Sequence, residues 1–250
     1  MARAALLLFL SLSFSGCATT GRFWPSGEEW RKSAADAAKH PGTWAPLVGA
    51  AAVTAGGWDL DISDWAQRET PLFGSAQSAE DYSDGFRTAA HVGMIVSALA
   101  VHEKGRKYWP ALLERMAWEH AGVMAAIGVR EPIRRLTDRE RPNGEPLSFP
   151  SGHSTTAFAN AGMTYRNLEA LHVDLAWEYG AKSVEAVFGV LTAWARVEAG
   201  KHYPTDVLVG AALGNFVALL VHDAFVGTGE SVRLTAVPGG GVRLTFEGRF

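Results

Sequence analysis

A chain of 250 residues with 23 Lys and Arg against 26 Asp and Glu has a formal charge of −3. That balance gives no broad basic field, which excludes nucleic acid held by its phosphates as a partner. Hydrophobic residues make up 48% of the chain, yet the mean hydropathy is +0.02, too low for a chain made mostly of membrane spans; one globular, helix-rich domain with a sizeable core is the expectation.

In chain order, Met1 to Gly16 joins Arg3 to an unbroken apolar run, Ala4 to Leu10, and ends in small residues before Cys17. Residues 1–17 therefore read as an export signal rather than part of the fold. Cys17 is the only cysteine, so no intrachain disulfide forms even in an oxidising compartment. "FSGC" resembles the lipobox of bacterial lipoproteins, with Phe14 where leucine is commoner. The resemblance implies that Cys17 becomes the acylated first residue, and Ala18 after it resembles the pattern sent to the outer membrane of a Gram-negative cell. The expectation is an exported, lipid-anchored protein on the periplasmic side of the envelope; an ordinary cleavage site that contains cysteine is the alternative.

Residues 18–42 are polar and read as a tether with a short helix around Glu28 to Lys39. The domain proper spans 43–226. Its apolar stretches, Trp44 to Trp58, Thr88 to Val101, His120 to Val129 and Val207 to Val221, each fall short of the roughly 20 residues that a spanning helix needs. They read as buried helices of a bundle, with spanning helices as the alternative. Asp59 to Asp84 mixes turn formers and charges and reads as a long connection with short helices. Tyr108 to Val129, 152–171 and 181–199 show helical period. In the tail, 227–250, apolar and polar residues alternate on both sides of "PGGG", the pattern of a hairpin that must lean on the helices. The fold expected is all-α, a bundle of about six core helices with a small C-terminal β-hairpin.

Three segments carry chemistry. In "PSGHS", Ser151 is a natural N-cap, Gly152 lets the backbone approach a ligand closely, and the free amides of the helix start form an anion cradle faced by His153. In "ARVEAGKHYPTD", Gly200 stops one helix and Pro204 starts the next, so His202 sits in the corner between them. Asp206, in the following first turn, is placed to accept a hydrogen bond from one nitrogen of His202, which leaves the other free as a nucleophile. In "REPIRRLTDRERP", Arg134 and Arg141 are close to two helical turns apart and share a face if the helix persists that far. An arginine fork suits a tetrahedral oxyanion better than the point charge of lysine does. Each segment alone has an ordinary explanation: a capped helix, a helix-start aspartate, a solvated charged face. Together they supply what phosphoryl transfer without a metal requires, with Arg134, Arg141, Arg196 and the backbone at Ser151 and Gly152 holding the equatorial oxygens.

Read as R-x6-RP, PSGH and AR-x5-H-x3-D, residues 134–206 resemble the type 2 phosphatidic acid phosphatase superfamily, which also includes bacterial acid phosphatases and vanadium haloperoxidases. Arg134 stands where the family has lysine and Ala195 where serine is usual. The resemblance implies that His202 attacks phosphorus, Asp206 orients it, and His153 protonates the leaving oxygen and then activates water. It also implies no cofactor, with vanadate able to take the place of phosphate. A phosphatase for a lipid phosphate, isoprenoid diphosphate or small ester is the first reading. A vanadate-dependent haloperoxidase and an idle envelope lipoprotein are the alternatives. His40, His91, His102, His120, His172 and His222 show no spacing of a metal cage, and Asp59, Asp61 and Asp64 lack the glycine and glutamate of a calcium loop.

Overall fold

The computed structural model describes residues 24–227 and the backbone of 231–237 and 241–247. Cys17 and the export signal expected over 1–17 lie outside the described residues. Eight helices follow one another: α1 (Gly27–Lys39), α2 (Pro41–Gly56), α3 (Asp59–Glu69), α4 (Ala76–Ala100), α5 (Tyr108–Thr137), α6 (Gly152–Leu171), α7 (Leu175–Glu198) and α8 (Pro204–Phe225).

Local chemistry sets their ends. Ser26 caps α1 reciprocally with Glu29, each side chain accepting the other's amide. Ser75 and Asp174 accept backbone amides at the starts of α4 and α7. Gly200, at φ 65°, turns the chain after α7 in a left-handed conformation that glycine adopts without strain.

α8 is the axis of the bundle. It packs against α1, α2, α5 and α6, while α4 and α7 complete a layer around α6. Met94, Val123, Ala126, Ala159, Met163, Val217 and Ala218 form the main core between α4, α5, α6 and α8. Ala66, Val197 and Val207 form a smaller one where α3, α7 and α8 meet. Four of these ten core residues are alanines, and small side chains let helix backbones approach closely. The closest approach is α6 on α8, where a Cβ added to Gly214 lies 2.0 Å from the Thr155 carbonyl oxygen and one on Gly210 lies 2.6 Å from that of Ser151. α8 is long and apolar enough to cross a membrane, and 67% of its apolar stretch is buried inside the bundle, as in the core helix of a globular fold.

Among the described residues there are eight helices rather than about six core helices, because the short polar helices expected outside the core also pack in the bundle. α1 buries only Ser33 and Ala37, and α3 only Ser63 and Ala66. The short helix expected around Glu28 to Lys39 in the tether is α1, which packs along α8 with Trp24 and Trp30 edge-on to Phe225 at 5.4 and 5.6 Å. The connection read over Asp59 to Asp84 is mostly α3 and the start of α4. α5 runs through Pro132 and ends at Thr137, with Asp138 left-handed at φ 40°. Arg134 therefore lies on the helix and Arg141 in the loop beyond it, so the two share no helical face. Beyond α8 the backbones of Ser231–Val237 (β1) and Gly241–Glu247 (β2) pair antiparallel, and the packed fold of the described helices is all-α. Alternation directs local pairing only, and two strands alone are marginal.

Candidate active site

The site forms where two chain reversals, α5–α6 and α7–α8, meet at the starts of α6 and α8. Ser151 caps α6, and its own amide donates to the Asp206 carbonyl (3.0 Å), which locks the start of α6 to the first turn of α8. At the α7–α8 corner the amides of Lys201 and His202 both donate to the Arg196 carbonyl (3.1 and 3.2 Å). One backbone device thus positions both Arg196 and His202. The loop after α5 closes onto the corner through the Asn143 amide, which donates to the Gly200 carbonyl (3.1 Å).

His202 is buried at 4% exposure. Its Nδ1 lies 3.8 Å from Asp206 Oδ2, within ion-pair reach but beyond a hydrogen bond, so the direct bond expected between them is not closed. The reason is that the Asp206 oxygens are already engaged. Oδ2 accepts the Ser148 hydroxyl and the Tyr203 amide (2.9 Å), and Oδ1 accepts Arg139 Nη1 (2.7 Å). The Ser148 hydroxyl also stands 3.5 Å from His202 Nδ1, in reach of both ring and carboxylate. Burial opposes charge on Asp206, but His202, Ser148, Tyr203 and Arg139 hold its carboxyl below the usual range. Burial lowers the pKa of His202 despite Asp206, and the charges of Arg196 and Arg141 lower it further, so the ring is the neutral imidazole a nucleophile requires.

Behind Asp206 lies a relay that the sequence reading missed. Arg139 Nη2 donates to Asp59 Oδ2 (2.6 Å), and Asp59 accepts the Thr205 amide (2.9 Å) and hydroxyl (2.7 Å) at the start of α8. The Arg139 guanidinium lies over the Tyr203 ring at 4.0 Å. Asp59 was set aside as a failed calcium loop; no spacing rule pairs it with an aspartate at the far end of the chain. Ser148 carried no signal either, being one hydroxyl in a turn-rich loop.

His153, in the first turn of α6, directs Nε2 at Asp84 Oδ1 on α4 (3.0 Å). Burial and then the Arg196 charge pull its pKa down to about 4, against the opposing effect of Asp84. Arg196 is 4% exposed and lies 3.6 Å from Glu80 on α4, a carboxylate it shares with Lys201. Its Nε and Nη1, and Nε of Arg141, are buried without a hydrogen-bond partner among the described residues. Arg141 pairs with Glu145. The charge of Arg196 bears on both histidines, and that of Arg141 on His202 and Arg196. His153, His202, Arg141 and Arg196 are thus brought together beside Ser151 and Gly152. Arg134 is turned to the loop, its Nε donating to the Leu147 carbonyl (3.0 Å). The structure adds Glu80 and Asp84, two acids one turn apart on α4, which no motif announced.

Known proteins resemble parts of this chain. The decaprenylphosphoryl-5-phosphoribose phosphatase of Mycobacterium tuberculosis is 32% identical over 111 residues, 40% of this chain and 56% of the relative. Undecaprenyl-diphosphatase BcrC of Bacillus subtilis is 32% identical over 80 residues, 32% of this chain and 36% of the relative. The chain thus spans about half the length, or less, of these curated relatives. A solved structure, the transmembrane PAP2 type phosphatidylglycerolphosphate phosphatase from Bacillus subtilis, aligns with a TM-score of 0.49 at 23% identity, over 70% of this chain and 90% of that one. The family model of the PAP2 superfamily matches residues 88–228, a span that runs from α4 past the end of α8 and takes in all three motif segments, and the chain belongs to that superfamily.

Proposed function

We propose that the protein is a phosphatase that cleaves a phosphomonoester or diphosphate through a phosphohistidine on His202. What supports this reading is that His153 at the start of α6 and His202 at the start of α8 lie on either side of the Ser151–Asp206 backbone bond, with the charge of Arg196 bearing on both and that of Arg141 on His202. His202, neutral and held from behind by Ser148, Asp206 and the Arg139–Asp59 relay, attacks phosphorus. Arg141 and Arg196, joined by Arg134 and the Gly152 amide, take the charge that develops on the equatorial oxygens, whereas the Ser151 amide expected beside them is spent on the Asp206 carbonyl. His153 protonates the leaving oxygen. Because Arg196 depresses its pKa, a phosphate dianion that offsets that charge raises it toward the range a general acid needs. Water activated by His153 then releases phosphate. No cofactor takes part, and vanadate occupies the same groups as a phosphate mimic.

The names of the relatives favour a polyprenyl phosphate or diphosphate as the substrate. The exposed apolar side chains of α4 and α7, among them Val92, Val96, Leu99, Val184, Val187 and Val190, suit a protein that works against lipid. Membrane attachment through an acylated Cys17, on the periplasmic face of the outer membrane, belongs to the same proposal; metabolic labelling with palmitate tests it, with Cys17→Ser expected to abolish incorporation. The activity is tested by phosphate release from undecaprenyl diphosphate, a diacyl lipid phosphate and p-nitrophenyl phosphate. An acid-labile, base-stable phosphoryl-enzyme is expected on quenching. Absence of release from all three substrates, or release without a phosphoryl-enzyme in the burst phase, defeats the reading.

A further inference from the structure

We infer that Arg130, which lies outside the R-x6-RP pattern, is a further phosphate-binding residue, its guanidinium gripping the phosphoryl oxygens at the start of α6. The inference rests on the phosphatase reading and extends its binding set.

The residue sits one turn before Arg134 on α5, and the two arginines have diverged. Arg134 spends its Nε on the Leu147 carbonyl. Arg130 instead lies over Gly152, where an added Cβ falls 2.0 Å from its Nη1 and 3.0 Å from its Cζ. The missing side chain at Gly152 therefore admits this guanidinium directly beside the amides that open α6. Only Nη2 is engaged in a side-chain hydrogen bond, with Glu131 (2.8 Å), and Nε is buried with no partner among the described residues.

The surrounding charge asks for an anion. Burial, then Arg134, and further along Arg141, hold the pKa of Arg130 below its ordinary value, which records cations crowded together away from water. The carboxylates that answer them are the more exposed partners: Glu131 at 33%, Glu145 at 50% and Glu80 at 36%, against 14% for Arg130, 16% for Arg141 and 5% for Arg196. The cations thus lie inside and their counter-charges outside. A phosphate dianion among the guanidiniums meets the planar fork of Arg130 on the same side as the helix-start amides, a geometry that a lysine ammonium does not reproduce.

The test is equilibrium binding of inorganic phosphate and of orthovanadate to the full chain by calorimetry, at fixed low salt, for wild type, Arg130→Gln, Arg130→Lys and Arg135→Gln. Arg135 is 72% exposed on the same helix and also pairs with Glu131, so it controls for loss of charge and loss of that ion pair. Arg130→Gln is expected to weaken both anions by about 10- to 100-fold, the ratio for a hydrogen bond to a charged group. Arg130→Lys keeps the charge and loses the fork, and is expected to fall between Arg130→Gln and wild type. Arg135→Gln is expected to bind as wild type does. A folded Arg130→Gln that binds both anions like wild type overturns the inference. Should Arg130→Gln fail to fold, Arg130→Lys binding like wild type overturns it instead. If wild type binds neither anion the phosphatase reading falls as a whole, whereas wild-type binding with an unaltered Arg130 variant removes Arg130 alone.

Discussion

Gly214→Ala tests whether the α6–α8 contact builds the site. An ideal Cβ at 214 lies 2.0 Å from the Thr155 carbonyl oxygen, 2.8 Å from its carbon and 3.0 Å from its Cα, whereas ordinary contact begins at 3.4 Å. All three atoms are backbone, so no rotamer relieves the clash and the helices must part by about 1.4 Å. Overpacking of this kind costs about 1–3 kcal/mol, and a rigid backbone neighbour places it near the upper end. Alanine returns up to ~1 kcal/mol of helix propensity, which leaves a net loss of about 2 kcal/mol. For a chain of this size that lowers Tm by about 4–8 °C. Gly128→Ala is the matched control, because nothing lies within 4 Å of its Cβ; propensity alone should raise Tm by ~2–4 °C. Thermal unfolding followed by circular dichroism reads both. Separation of α6 from α8 also pulls the Ser151 amide from the Asp206 carbonyl, so phosphate release should fall in the glycine-214 variant and not in the control. A Gly214→Ala protein that melts at or above wild type refutes the packing argument.

Three further expectations concern titratable groups. His202→Ala should fold and release no phosphate in a colorimetric phosphate assay, and measurable turnover removes the proposed nucleophile. The His153 ring should titrate near 4 in the free protein and move upward when vanadate offsets the Arg196 charge; ring-nitrogen NMR shifts that stay unchanged on vanadate addition contradict the general-acid role. Burial pushes the Glu119 carboxyl up to about 8, against Arg115 and Asn167. Between its ordinary value of 4.5 and about 8, the folded chain thus holds a proton that the unfolded chain has released, so this group's contribution to stability falls as pH rises through that window. Glu119→Gln should flatten the fall in urea midpoints across it, and an unchanged pH profile sinks the assignment.

The groups of the proposed site could be named from the sequence because each is announced by local chemistry. Ser151 caps a helix, Gly200 and Pro204 frame a corner, and the histidines stand beside them; such signals act over a few residues and survive without a structure. What supports those groups was not legible. Asp59 reaches Asp206 only through Arg139, Glu80 and Asp84 arrive on a helix distant in sequence, and Ser148 stands in reach of both ring and carboxylate. Each is a long-range contact that depends on helix packing rather than on spacing. The same limit explains the helix count. α1 and α3 bury two residues apiece, too few to leave a strong apolar period, so tertiary contact with α8 and α7 draws into the bundle short helices that composition left outside the core. The end of α5 was misplaced for a related reason. Pro132 sits inside a helix that proline ordinarily ends or kinks, and the helix stops only at left-handed Asp138, so Arg141 falls in the loop beyond.

Asp84 gives the last test, because it acts on binding and on chemistry in opposite directions. Its carboxylate is 55% exposed and lies 3.0 Å from His153 and 2.8 Å from Arg87, close to where the proposal places a phosphate dianion. Like charges at that separation disfavour the bound anion, so Asp84→Asn should tighten inorganic phosphate as a competitive inhibitor. An exposed pair is worth about 0.2–1 kcal/mol, which limits the gain to roughly fivefold. The same substitution removes the group that opposes the depression of His153, so the imidazolium becomes scarcer and kcat should fall. A merely structural aspartate weakens binding and turnover together, raising Ki as kcat falls, since a distorted site binds and turns over less well. Tighter inhibition with slower turnover therefore identifies Asp84 as the group that sets the His153 proton, and weaker inhibition with slower turnover places its effect in the packing of α4 alone.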